Sequence, residues 1–340
     1  MKRNHTADLL KGIAVILMIQ VHLMELFARQ DIFNGFAGHL SLFLGGSPAA
    51  PVFMVVMGYF IAASSSSFPE MVKRGIKLIG LGFILNIALN FHLLIMIADG
   101  TIKVNAMEYI LGVDILFLAG LSIIILAVMN RFFKHKTLPF LVILVLILAV
   151  QFLFQQVMHV STNNYFVAYF YGDGAVWSYF PLIPWLVYPV TGYLFYTLDN
   201  TSSKKARRFY PYGIAFSGLV TIVFLKYALD VSSNLPEYYH HGYVFYFYTV
   251  CFLIFWTFIF NRISRYHNLV SRFLEWIGRN VTSAYVIQWV IIGNIATSLY
   301  KTQGPAELVL WFVFVVAATG FGVLIWRRVK RKHTGDILKV

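Results

Sequence analysis

The 340 residues are 59% hydrophobic and 12% charged, with a mean hydropathy of +0.72 and a formal net charge of +13. So little polar surface excludes a soluble globular domain of this length; apolar runs of about 20 residues, without alternating strand patterns, point to helices in a membrane. The single cysteine, Cys251, lies in an apolar run, which excludes a disulfide framework and a cysteine metal site.

In chain order the pattern predicts ten spans: 8–27, 40–63, 76–97, 107–129, 138–157, 178–198, 210–229, 242–261, 280–299 and 306–326. The first follows Lys2 and Arg3, as a signal peptide would. No small-residue cleavage site follows its apolar core, so it reads as a retained helix. The basic residues then alternate between the two sides. One side collects Lys2, Arg3 and Lys11, then Lys73, Arg74 and Lys77, then Arg131, Lys134 and Lys136. It continues with Lys204, Lys205, Arg207 and Arg208, then Arg262, Arg265, Arg272 and Arg279, and ends in a tail from Arg327 to Lys339. The other side keeps only Arg29, Lys103, Lys226 and Lys301 of the 27 basic residues. Positive-inside bias then puts both termini in the cytoplasm. The expected fold is an all-α polytopic membrane protein of about ten transmembrane helices, N-in and C-in. It reads as one integral membrane domain over 1–340, with a short basic cytoplasmic tail at 327–340. Because most of the positive charge is a topology signal, the lipid bilayer is an expected partner and nucleic acid is not.

The first span, "ADLLKGIAVILMIQVHLMEL", carries four ionisable side chains. At 100° per residue, Asp8, Lys11, Val15, Met18, His22 and Glu25 share roughly one third of the circumference, and Gln20 points the other way. His22 lies about 16 Å beyond Lys11 along the axis, in the outer half of the membrane. An ionisable group there faces a protein interior or a wet cavity, and is a candidate for function as well as for a structural hydrogen bond. The stripe describes one wall of a channel from the cytoplasmic face to a general base. A coenzyme A thioester, with phosphates at one end, a thin arm and an acyl group at the other, fits such a wall.

The stretch "ADLLKGIAVILMIQVH" resembles the first-helix signature of the transmembrane acyltransferase superfamily, which includes acyltransferase-3 proteins and heparan-α-glucosaminide N-acetyltransferase-like proteins. "GGSPAAPVFMVVMGYFIAAS", "MVKRGIKLIGLGFILN" and "EYILGVDILFLAGLSIIIL" are similar to its second, third and fourth spans. "YFPLIPWLVYPVTGYLFY" and "FLEWIGRNVTSAYVIQWVII" are similar to the sixth and ninth spans of the heparan-type branch, toward which the Phe-Pro-Leu-Ile-Pro-Trp run leans. The resemblance covers most of residues 6–298. It implies transfer of an acyl group, usually acetyl, from cytoplasmic acyl-CoA to a hydroxyl or amine of an extracytoplasmic glycan or glycolipid. Two residues depart from the pattern: Lys11 stands where arginine is usual, and Gln288 where many relatives have a histidine. In the heparan enzymes the catalytic histidine comes before the second span, a place held here by His39. His22 and His39 therefore compete for one role.

Thioester chemistry needs an acceptor relieved of its proton, and a neutral histidine suits that role as general base, or as a transient acyl carrier. Glu25, one turn beyond His22, is placed to orient the imidazole, or is a solvated helix end. Lys11, Lys73, Arg74 and Lys77 are candidates for the CoA phosphates, or plain topology charge. Asn86 and Asn90 are candidate donors to a thioester oxygen, or polar glue between helices. Adjacent His240 and His241 lack the further ligands of a metal site, so no metal is expected; the resemblance implies acetyl-CoA as co-substrate. Trp177, Tyr179, Trp185, Tyr238, Tyr239, Tyr243 and Tyr246 gather near helix ends, as an interfacial belt or a sugar-stacking vestibule. A bacterial inner (plasma) membrane is the expected location, and association into a homodimer is left open. The competing class is a polytopic transporter of a small anionic solute. Pro181, Pro184 and Pro189 break one span, but the first half shows no matching pattern. A non-catalytic membrane scaffold or sensor is the third.

Overall fold

Uninterrupted apolar runs become long helices, and prolines and helix-capping side chains decide where they stop. A computed structural model describes residues 4–134, 136–201, 208–266 and 268–337. Among these, α1 (His5–Leu26), α2 (Phe36–Gly46), α3 (Ala50–Ala63), α4 (Phe68–Leu89) and α5 (Phe91–Ala98) form the first part. Then come α6 (Ile115–Phe133), α7 (Thr137–Phe152), α8 (Val187–Thr201), α9 (Tyr210–Val223) and α10 (Leu225–Ser233). The chain ends in α11 (Tyr243–Ile263), α12 (Leu269–Arg279), α13 (Val281–Leu299) and α14 (Pro305–Ile337). The described residues contain isolated β-bridges but no strand.

The protein is an integral, all-α, polytopic membrane protein. Seven of its described helical stretches are long and apolar enough to cross a bilayer, or up to nine if each of two bent pairs is one span. The bent pairs are α4 with α5, broken at Asn90, and α9 with α10, which turn through 58° at Phe224. The sixth expected span, 178–198, is the exception. Its regular helix, α8, has only 15 residues. Pro181 and Pro184 supply no N–H and disfavour helical backbone in the residue before them, and Ile183 is extended at φ −105°, ψ 119°. The expected span at 107–129 also begins later, at Ile115, where the Asp114 side chain accepts from the Ile115 N–H at 2.6 Å. The basic tail expected from residue 327 continues α14 as far as Ile337. Lys2, Arg3, Lys204, Lys205, Arg207 and Lys339 lie outside the described residues.

Two compact units make up the chain. The first comprises the described residues of Met1–Gly45, Ala88–Lys103 and Ile259–Val340. In it α1 packs against α12, α13 and α14. The α1–α12 contact is backbone on backbone: a Cβ on Gly12 would strike the Leu274 carbonyl, and one on Gly278 the Asp8 carbonyl. Small residues at such crossings allow the close approach that drives helix association in lipid. His5 fixes the same end, its Nδ1 3.1 Å from the buried carboxylate of Glu275.

The first unit also resolves the break at Asn90. A helix that stops inside a membrane leaves a carbonyl and an N–H without intrahelical partners, and lipid offers none. Asn294 of α13 supplies both. Its Nδ2 donates to the Ala88 carbonyl at 2.8 Å, and its Oδ1 accepts from the His92 N–H at 2.9 Å. Gly293 lets the two backbones meet, since a Cβ there would strike the Leu89 carbonyl.

The second unit comprises Gly46–Ile87 and the described residues of Val104–Phe258. Here α3 and α8 cross through Gly58 and Gly192, whose added Cβ atoms would strike the Pro189 and Val55 carbonyls. Helices α4 and α6 cross at Gly75 and Gly120, each Cβ position lying 2.7 Å from the other's carbonyl oxygen. Several of the aromatic residues expected near the interface are core residues instead. Trp185 is fully buried and donates to the Tyr239 carbonyl at 2.7 Å, and Thr191 pairs with Tyr246 at 2.6 Å. Tyr179 and Tyr243 remain exposed.

His241, in the turn before α11, is buried beside Tyr188, whose hydroxyl lies 3.0 Å from Nε2. Burial pulls its pKa from 6.5 down to about 4, with a smaller lowering from His240 and partial compensation by the Gly242 carbonyl. Between those two values the unfolded chain holds a proton that the folded chain does not, so stability rises with pH there and falls on acidification. Thermal unfolding in detergent should therefore lose up to about 3 kcal/mol between neutral pH and pH 4. His241→Gln should flatten that part of the profile.

Candidate active site

The polar stripe of α1 is enclosed within the first unit. Asp8, Val15 and Met18 are buried, and Lys11 pairs with Asp8 at 3.0 Å one turn along the same face. Gln20, on the other side, is tied to α2: its amide donates to the Ser41 carbonyl at 2.9 Å and accepts from the Ser41 hydroxyl at 2.6 Å.

His22 and Glu25 form the second pair of the stripe. The His22 side chain is 13% exposed, and its Nδ1 lies 3.3 Å from Glu25 Oε2. A carboxylate accepts, so Nδ1 carries the hydrogen and the lone pair is left on Nε2. Nε2 is buried and has no hydrogen-bond partner among the described residues. The indole of Trp289 on α13 covers the imidazole, with ring centroids 3.9 Å apart and planes tilted by 37°. Its Nε1 is likewise buried without a partner. Buried polar atoms without partners are uncommon in folded proteins and call for an explanation such as a ligand or a water. The preceding residue, Gln288, is fully buried with both amide atoms unpartnered.

Beyond Glu25 the end of α1 is closed by the turn between α13 and α14. The Lys301 N–H donates to the Leu26 carbonyl at 2.9 Å, Gln303 N–H to Phe27 at 2.8 Å, and Arg29 N–H to Gln303 at 3.0 Å. Lys301 adopts a left-handed φ of +57°, a conformation costly to a residue with a Cβ. That backbone sets its ammonium 3.6 Å from the centroid of the Phe33 ring. Burial lowers the Lys301 pKa, and the charge of Glu25 raises it. An imidazole, a carboxylate and an ammonium thus follow one another at the end of the helix.

The other expected residues are placed differently. His39 on α2 has an exposed side chain. Asn86 is buried in the second unit, and its amide nitrogen donates to the carbonyls of Ile110 at 3.0 Å and Gly112 at 2.8 Å. Both amide hydrogens are therefore spent on fixing the approach to α6. Asn90, in the first unit, is the break between α4 and α5. Lys73, Arg74 and Lys77 are exposed on α4, in the second unit. No group of three or more metal-ligating side chains occurs among the described residues.

Residues 4–327 match the family model for the acyltransferase domain of the acyltransferase-3 type. The chain belongs to the acyltransferase-3 family. No curated protein and no solved structure matches it. The protein is therefore a membrane acyltransferase. Two features of this acyltransferase-3 site were not read from the sequence. Trp289 was missed because the ring that covers His22 lies 267 positions away, on α13. Lys301 did carry a signal. It is one of the four basic residues on the side that the charge bias leaves nearly empty.

Proposed function

We propose that the protein moves an acetyl or longer acyl group from cytoplasmic acyl-CoA to a hydroxyl or amine of an extracytoplasmic glycan or glycolipid. His22 serves as the general base. The observation that carries this reading is the buried, unpartnered Nε2 of His22, with Nδ1 held by Glu25. Nε2 takes the proton of the acceptor O–H or N–H as the acceptor atom attacks the thioester carbonyl. The tetrahedral intermediate collapses, the C–S bond breaks, and the imidazolium returns the proton to the departing thiolate. Gln288, a buried amide without a hydrogen-bond partner among the described residues, is our candidate donor to the oxyanion. The exposed position of His39 favours His22 for the base. Lys11, on the same face of α1 as His22, is the proposed contact for CoA phosphate. The charge bias of the loops supports cytoplasmic placement of that end of α1, and the compact loops favour a bacterial inner membrane as the location.

Calorimetry with purified protein and acetyl-CoA tests the donor. Wild type and His22→Ala should bind alike, and Lys11→Gln should bind about tenfold more weakly, as expected for a lost charge-assisted contact. An absence of binding in the wild type at millimolar acetyl-CoA would overturn the acyl-CoA reading.

A further inference from the structure

Helix α4 presents two faces. Met71, Gly75, Gly82, Leu85 and Asn86 are buried and mark the side packed in the protein. On the opposite side, within about 100° of arc, lie Lys73, Ile76, Lys77, Gly80, Ile84 and Ile87. All are exposed, with Ile76 at 58%, Ile84 at 65% and Ile87 at 46%. In a membrane protein an exposed apolar stripe of this kind faces lipid. Lys73 and Lys77 therefore head a lipid-facing surface, whereas Arg74 sits on its flank.

An open groove of about 410 Å³ lies at that head, lined by Phe68, Pro69, Val72, Lys73, Ile76 and Lys77. Arg131 of α6 adds a third cation, its guanidinium 5.2 Å from the centroid of the Phe68 ring. The neighbouring carboxylate, Glu70, is turned away to accept from the Ser67 N–H at 2.8 Å. From Ile76 to Ile87 the stripe runs about 16 Å, which is half the roughly 30 Å hydrocarbon core and so the depth of one leaflet.

We propose that this groove binds one anionic phospholipid of the surrounding leaflet. The phosphate lies between Lys73, Lys77 and Arg131, and one acyl chain runs down Ile76, Ile84 and Ile87. Charge complementarity selects the headgroup. The length and continuity of the apolar stripe select a lipid over a free phosphate or a CoA phosphate, neither of which needs such a track. This site stands independently of the transfer reaction.

Native mass spectrometry of delipidated protein, titrated with dioleoylphosphatidylglycerol or dioleoylphosphatidylcholine, tests it. Wild type should hold the first phosphatidylglycerol molecule at least tenfold more tightly than phosphatidylcholine. A basic side chain near anionic lipid contributes roughly fivefold, so K73Q/K77Q should weaken that binding about 25-fold. K73R/K77R should preserve it, and K103Q, a charge loss in the other unit, should leave it unchanged. Size-exclusion chromatography of every variant shows that it folds. Equal binding of the two lipids would overturn the proposal, as would an equal loss in K103Q. So would displacement of the lipid by CoA, with CoA binding itself lost in K73Q/K77Q, because the groove would then be a donor site.

Discussion

Replacing His22 with alanine is expected to lower acyl transfer by about 10²–10⁴-fold while leaving acetyl-CoA binding at the wild-type level. The imidazole has one nitrogen committed to Glu25 and the other buried with no partner. Glu25→Gln should cost less, roughly tenfold, because it removes the charge that orients the ring and keeps a group of similar shape. His39→Ala should retain near wild-type turnover. Radiolabelled acetyl transfer into membrane glycans or glycolipids, with protein amount and fold verified, measures all three. If His22→Ala transfers at the wild-type rate while His39→Ala does not, the assignment of the base moves to α2.

Asn294→Leu is expected to be the most damaging single change outside the site. It leaves the Ala88 carbonyl and the His92 N–H unpaired where the membrane offers no substitute. Two such groups cost about 1–3 kcal/mol each, enough to lower the unfolding midpoint in detergent by roughly 3–8 °C. Thr297→Val, one turn further along α13, removes only a 3.5 Å contact within the helix and serves as the control. An Asn294→Leu protein as stable as the control would mean that the broken span finds other partners.

The all-α membrane fold was legible because a bilayer imposes one strong rule, about 20 apolar residues per span, and composition alone reports it. What composition does not report is backbone that departs from a helix. Asn90 sits inside an apolar run that reads as continuous, and the break is stabilised by a side chain 204 residues further on. At 178–198 the prolines were visible, but the run still looked long enough to cross. The stripe on α1 was legible for a different reason: helical periodicity fixes which residues share a face, and both Asp8–Lys11 and His22–Glu25 meet as that periodicity requires. Periodicity within one helix says nothing about its neighbours. Trp289 and the backbone of Lys301 complete the surroundings of His22 from elements that α1 meets only after folding. The lysines of α4 show the same limit, since a match to a basic motif does not state which way the helix turns them.

The enclosure of α1 by the last third of the chain has a consequence for how the protein is made. His5 meets Glu275 across 270 residues of sequence, and Trp289 arrives later still. At five to twenty residues per second, roughly 15–50 s separate the synthesis of α1 from that of the helices that will cover it. Throughout that interval the His22–Glu25 pair of the first helix lacks the Trp289 ring and the Lys301 turn that later meet that end of α1. A ribosome stalled before α13 would therefore leave a chain in which neither Trp289 nor the Lys301 turn has reached the end of α1.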